Sequence, residues 1–174
     1  DNLKRWGVQP VIALNRFPGD TDADLDAALK YCHTLGVDAA ICEGYTKGGD
    51  GMRELAAKIV NVAAASDPAK VKPIYVREQS LAEKISTVAT KVYGASKVSF
   101  KPAAKSRLEK LEALGYGQLP VCIAKTQYAF ADDPKLVGAP VGWTLTISDV
   151  TLSAGAGFVV AIAGAMMLMP GLGK

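Results

Sequence analysis

Residues 11–42, VIALNRFPGDTDADLDAALKYCHTLGVDAAIC, decide the fold. Val11–Asn15 is a short apolar run of the kind that forms a buried strand, and it halts at Arg16-Phe17-Pro18-Gly19-Asp20. Thr21 or Asp22 is placed to cap a helix running to about Leu35, with Leu25, Ala28, Leu29 and Cys32 on one face and Gly36 past its end. A second apolar run, Ala39–Cys42, stops at Glu43-Gly44-Tyr45-Thr46-Lys47-Gly48-Gly49. The pattern is a βαβ unit. Its parallel strands end at one edge of the sheet, where open α/β folds bind ligands. Phe17 and Tyr45 stand just past those two ends, so two aromatic faces there could hold a flat heterocycle. For Phe17, packing beneath its own loop is the competing reading.

The same rhythm continues outward. A helix over roughly Gly51–Ala65 carries Met52, Leu55, Ala56, Ile59 and Val62 at helical spacing, and Asp67-Pro68 ends it. Ile74-Tyr75-Val76 reads as a third strand. Ser80 and Glu83 form an S-x-x-E capping box for a helix over Leu81–Tyr93, whose inner face is Ile85, Val88, Ala89 and Val92 and whose stop is Gly94. A further helix spans about Ala103–Leu114, and Val121–Ala124 is a fourth buried strand. The alternation predicts an α/β protein, a mainly parallel sheet with covering helices in Rossmann-like or P-loop-NTPase-like layers. A smaller C-terminal α/β part ends in Gly-rich buried strands, Thr144–Val150 and Phe158–Ile162. A composition shift over Ser66–Pro73 divides a βαβ half, 1–68, from a C-terminal α/β domain, 69–174. The opening DNLKRWG reads as the last turn of a helix entered midway, which predicts a piece of a larger chain.

Val150–Gly173 carries no charge and is long enough to span a bilayer. Gly155, Gly157, Gly164 and Gly171 interrupt it and Pro170 ends it, so buried strand with glycine turns is the preferred reading. The 20 Lys and Arg are scattered among 17 Asp and Glu for a net charge of +3, with no basic run, which argues against a nucleic-acid partner. Cys32, Cys42 and Cys122 lack CxxC spacing, so a reducing compartment, the cytoplasm or an organelle, is expected. Cys42 and Cys122 sit in apolar runs where a thiol behaves as a small buried hydrophobe. With His33 the single histidine, late in a helix, no metal site is expected.

Three loops carry candidate binding groups. Lys47-Gly48-Gly49-Asp50-Gly51 precedes a helix, where glycine amides can approach an anion, although Asp50 would repel phosphate and a tight strand-to-helix turn explains the loop equally. At Asn15–Thr21, Pro18 stiffens the backbone after the aromatic ring, and Asp20 and Thr21 can cap the coming helix. Lys125-Thr126-Gln127-Tyr128 follows the fourth strand, with Lys125 a candidate for a carboxylate or phosphate and Gln127 for hydrogen bonding; a solvated lysine is the alternative. No nucleophile–His–acid set or paired-carboxylate signature occurs. The catalytic residues are therefore unknown, and the residues singled out are of the kind that bind and orient.

Taken together, PVIALNRFPGDTDADL (10–25), KGGDG (47–51), EKISTVATKVYG (83–94), LPVCIAKTQY (119–128), DDPKLVGAP (132–140) and SAGAGFVVAIAGAMMLMPGL (153–172) resemble the C-terminal portion of formate–tetrahydrofolate ligase, or 10-formyltetrahydrofolate synthetase. The resemblance covers nearly the whole chain. It implies a ligase that joins formate, ATP (with Mg) and tetrahydrofolate through formyl phosphate, often activated by a monovalent cation. The family's phosphate-binding loop lies in an N-terminal region, and no G-x-x-x-x-G-K-[ST] occurs here, so this piece alone is expected to be inactive. The resemblance further implies that Phe17, Pro18 and Tyr45 line the pocket for the pterin ring, overlapping the adenine region. Asn15, Lys47, Gly48, Gly49, Lys125 and Gln127 are possible further contacts. Where the family usually has tryptophan this chain has Tyr45, which offers a smaller stacking face. The implied partners are small-molecule substrates, the N-terminal part of the same enzyme and further copies in a homo-oligomer, with no membrane. A non-catalytic nucleotide- or folate-binding or oligomerisation module is the alternative.

Overall fold

Strand β1 (Val11–Asn15) pairs in parallel with β2 (Asp38–Cys42), Ala13 opposite Ala40, and helix α1 (Asp22–Thr34) makes the crossover. The computed structural model describes residues 2–164 and divides into two units, Asp1–Lys72 and Pro73–Lys174. Thr21 is the N-cap of α1, its hydroxyl accepting from Asp24 N at 3.2 Å, while Gly36 at φ +62° turns the chain back. Leu25 is the fully inward residue of α1, and Ala39, Ala40 and Cys42 are buried in β2. His33 is exposed at the helix end.

The segment after β2 differs from the expected loop and helix. Gly44–Lys47 makes one helical turn (α2) and Gly48–Met52 a 3-10 turn, so the long helix α3 starts at Arg53 rather than Gly51 and runs to Ala65. The cause is local crowding. Glu43 N donates to Gly51 O at 3.1 Å, folding the glycine stretch back on the strand end. Helix α3 has no buried residue: of the residues at helical spacing, Leu55 and Val62 are half-buried, but Ala56 and Ile59 are exposed.

In the second unit, Ile74-Tyr75-Val76 is not a strand. Pro73 precedes it, Val76 N turns to Gln79 Oε1 at 3.1 Å, and the Tyr75 hydroxyl accepts from Val121 N at 3.2 Å. The Ser80–Glu83 capping box then starts α4 (Leu81–Lys91), two residues shorter than expected. A strand not anticipated, β3 (Lys97–Phe100), precedes α5 (Pro102–Ala113) and β4 (Val121–Ala124). The long β5 (Thr144–Ser153) and β6 (Phe158–Ala163) form an antiparallel pair, with a register shift between Ile147 and Asp149. The sheet order is β3-β5-β6-β4, and both outer pairings are parallel.

The larger sheet thus belongs to the C-terminal unit. Its core gathers Leu81, Ile85, Leu145, Ile147, Val150 and Val159, each essentially inaccessible and each worth about 1.5–3 kcal/mol of transfer free energy. Cys122 is exposed rather than buried, because it lies on the face of β4 opposite the buried Val121 and Ile123. Among the described residues no helix is long and apolar enough to cross a membrane. The last part of the chargeless tail, with Pro170 and Gly171, lies outside the described residues.

Candidate functional site

The parallel pairing of β1 and β2 places both strand ends at one edge of their sheet, and the Phe17 and Tyr45 loops leave from it. Asn15 is the last ladder residue, opposite Cys42, and Arg16 N extends the ladder by donating to Cys42 O at 3.0 Å. The next turn is braced twice: Phe17 N donates to Asp20 Oδ2 at 2.8 Å, and Asp20 N donates to Phe17 O at 3.0 Å. Asp20 therefore holds the Phe17 backbone, and the helix cap belongs to Thr21. Arg16 pairs with Asp22, and that hydrogen bond raises the guanidinium pKa, further supported by the charges of Glu43 and Asp20.

Tyr45 sits on the single turn α2, which hangs from Glu43. Thr46 N and Lys47 N donate to Glu43 O at 3.1 and 2.8 Å, and Lys47 Nζ meets Glu43 Oε2 at 2.6 Å. Lys47 is thus paired within its own turn, and Asp50 is paired with Arg53 at 2.8 Å. Gly48 adopts φ +56° and ψ −139°, which a side chain would resist, whereas Gly49 faces open space. At Gly51 the constraint is contact: a Cβ would lie 2.6 Å from the Glu43 carbonyl. The glycines let the chain coil tightly under Tyr45.

Both rings are bare. Tyr45 is 101% and Phe17 65% exposed, so neither packs under its loop in this unit. Exposed aromatic surface at a strand-end edge suits a flat, partly apolar ligand.

Lys125 and Gln127 end a strand of the other sheet. The Lys125 ammonium is not a free anion ligand: it donates to Thr126 O at 3.1 Å and to Ala129 O, and lies 4.8 Å from the centre of the Tyr93 ring. Burial lowers its pKa, and Asp132 opposes that shift. Tyr93 also leans on Phe130, 6.3 Å between centroids. Gln127 is exposed beside a shallow cavity of about 300 Å³ that these residues line. Among the described residues no group of three or more His, Cys, Asp or Glu could hold a metal ion.

Sequence reasoning passed over Lys84, the one fully buried charged residue among the described residues, whose Nζ donates to Gly117 O at 2.6 Å and Leu119 O at 3.2 Å. Desolvation lowers its pKa, as does Arg77, against Glu78 and Glu112. Its place at i+3 from Leu81, on the inward stripe of α4, was the available signal.

The family model described as "Formate--tetrahydrofolate ligase" matches residues 1–174, the entire chain. The chain belongs to the formate–tetrahydrofolate ligase family. A formate–tetrahydrofolate ligase of Paracoccus denitrificans is 48% identical over 171 residues, 98% of this chain and 30% of that protein. Ligases of the same name from two Rhizobium etli strains are 48% identical over 173 residues, 99% of this chain and 31% of theirs. The chain spans slightly under a third of the length of these ligases.

Proposed function

We propose that residues 1–174 form the folate-side portion of a longer ligase that makes 10-formyltetrahydrofolate from formate, ATP and tetrahydrofolate through formyl phosphate. The observation that carries this reading is the pair of bare rings, Phe17 and Tyr45, at the shared end of two parallel strands in a chain of this family. In the proposal the pterin ring lies against Phe17, Pro18 and Tyr45, in a space overlapping that of the adenine. Asn15 and the Lys47-Gly48-Gly49 turn supply polar contacts at the same edge. Lys125 pins the loop that carries Gln127, rather than meeting an anion itself. ATP enters with Mg, a monovalent cation assists, and the phosphate site comes from the N-terminal part of the same polypeptide. The working enzyme is cytoplasmic and homo-oligomeric.

The test is formation of 10-formyltetrahydrofolate, dependent on both ATP and formate, by the full-length parent and by residues 1–174 alone. The parent turns over and the 174-residue piece does not. An inactive parent refutes the proposal in favour of a non-catalytic module.

A further inference from the structure

Residues 16–21 form the loop between β1 and α1 that carries Phe17 and Pro18, and Arg16 alone of them is not exposed. The tip of the loop leans on nothing else: a Cβ at Gly19 would meet no atom within 4 Å. Its shape rests on its feet. The bonds between Phe17 and Asp20 close the tip, and outside them the Arg16 guanidinium pairs with Asp22 on the first turn of α1, so the pair spans the whole loop.

Arg16 is fixed to the neighbouring strand as well. Its backbone N donates to Cys42 O at 3.0 Å, and the next residue, Glu43, starts the Tyr45 turn by accepting from Thr46 N and Lys47 N. One residue therefore holds the end of β2 with its backbone and the start of α1 with its side chain. Its Nε is shut away from water and has no partner among the described residues. A donor left in that state costs free energy, so it is the Nη contact to Asp22, with Glu43 and Asp20 adding their charge, that holds the guanidinium in place.

The exposure of the pair separates positioning from stability. The Asp22 side chain is 86% and that of Arg16 32% exposed, and an ion pair so open to water adds little to folding. What it does is narrow the freedom of the loop, and stacking on an aromatic face depends on how that ring is placed.

We propose that Arg16 is a positioning residue for folate: bonded to Asp22 and to Cys42, it holds the Phe17–Pro18 wall in place beside the Tyr45 turn. The proposal rests on the reading of this edge as the pterin site. Arg16 acts through Phe17 and Pro18 and need not touch the ligand.

The test is steady-state kinetics of the full-length parent carrying Arg16→Met, Asp22→Asn, both together, or Arg16→Lys, with thermal unfolding of each. Either single variant is expected to raise KM for tetrahydrofolate about three- to fivefold, the scale of a well-formed exposed ion pair. Expected with it are an unchanged kcat and KM for formate, a double variant no worse than the worse single one, and partial recovery in Arg16→Lys, which keeps the charge opposite Asp22. An unchanged KM for tetrahydrofolate in both single variants overturns the proposal. So do effects that multiply in the double variant, a kcat or formate KM that moves as much, or no recovery with lysine. Should Arg16→Met unfold the parent, Asp22→Asn decides alone. Phe17→Ala in the same assay separates the two levels: if it raises KM for tetrahydrofolate while the Arg16 and Asp22 variants do not, the pterin reading stands and this proposal falls. If neither it nor Tyr45→Ala raises that constant, both fall.

Discussion

At the scale of single residues, the structure separates groups that support the site from groups that present a surface to it. Gly51 is a support. A Cβ there would meet the Glu43 carbonyl, a backbone group that cannot swing away, so Gly51→Ala must move the turn carrying Tyr45. Urea denaturation is expected to show a loss of about 1–3 kcal/mol, the usual result of forcing extra atoms into a packed place. Lys84 does not belong to that site; it braces the second unit. Removing its ammonium leaves the carbonyls of Gly117 and Leu119 without that donor, so Lys84→Met is expected to cost about 1–3 kcal/mol in the same measurement. The sequence made Phe17 and Tyr45 legible because strand ends followed by aromatic residues are a local pattern. It hid Lys84, since a lysine on an amphipathic helix is ordinarily solvated and only the tertiary fold supplies its carbonyls. It also misassigned Asp20, because capping the helix and bracing the preceding turn call for the same residue type.

At the scale of elements, those with strong local signals were readable. The capping box predicted at Ser80 and Glu83 is fully formed, and α1 starts at Asp22 with Thr21 as its N-cap. Hydrogen bonds from the Ser80 hydroxyl and backbone hold the Glu83 carboxyl below the ordinary glutamate range. A lowered folded-state pKa contributes stability above the unfolded value, and that contribution disappears as pH falls through the folded value. Ser80→Ala should therefore cost about 0.5–2 kcal/mol near neutral pH. The gap from wild type should narrow in acid, as denaturation series at neutral and acidic pH can show; a gap independent of pH would contradict the coupling. Other elements depended on distant partners. Lys97–Phe100 is only four residues long and becomes a strand because β5 pairs with it, whereas the apolar Ile74–Val76 finds no ladder. The apolar spacing of α3 was legible, but its exposure was not: periodicity shows that a helix has a face, without showing whether that face is buried.

At the scale of the whole molecule, family membership ties the chain to longer ligases, and the two units supply different things. The first offers an edge with two uncovered rings; the second offers a closed core under a four-stranded sheet. The parallel, helix-covered character of the fold followed from the alternation of elements. Its division between two separate sheets did not, because strand pairing across long connections leaves no local mark. That division matters for function: Lys125 and Gln127 follow a strand of the four-stranded sheet, whereas the rings follow strands of the two-stranded one. The folate reading therefore stands on Phe17 and Tyr45. Aromatic contacts contribute about 0.5–1.5 kcal/mol beyond their buried area, enough to shift a Michaelis constant several-fold. The most direct test is steady-state kinetics of the full-length parent carrying Phe17→Ala or Tyr45→Ala. The account predicts a several-fold rise in KM for tetrahydrofolate with KM for formate unchanged; an unchanged KM for tetrahydrofolate in both variants would contradict it.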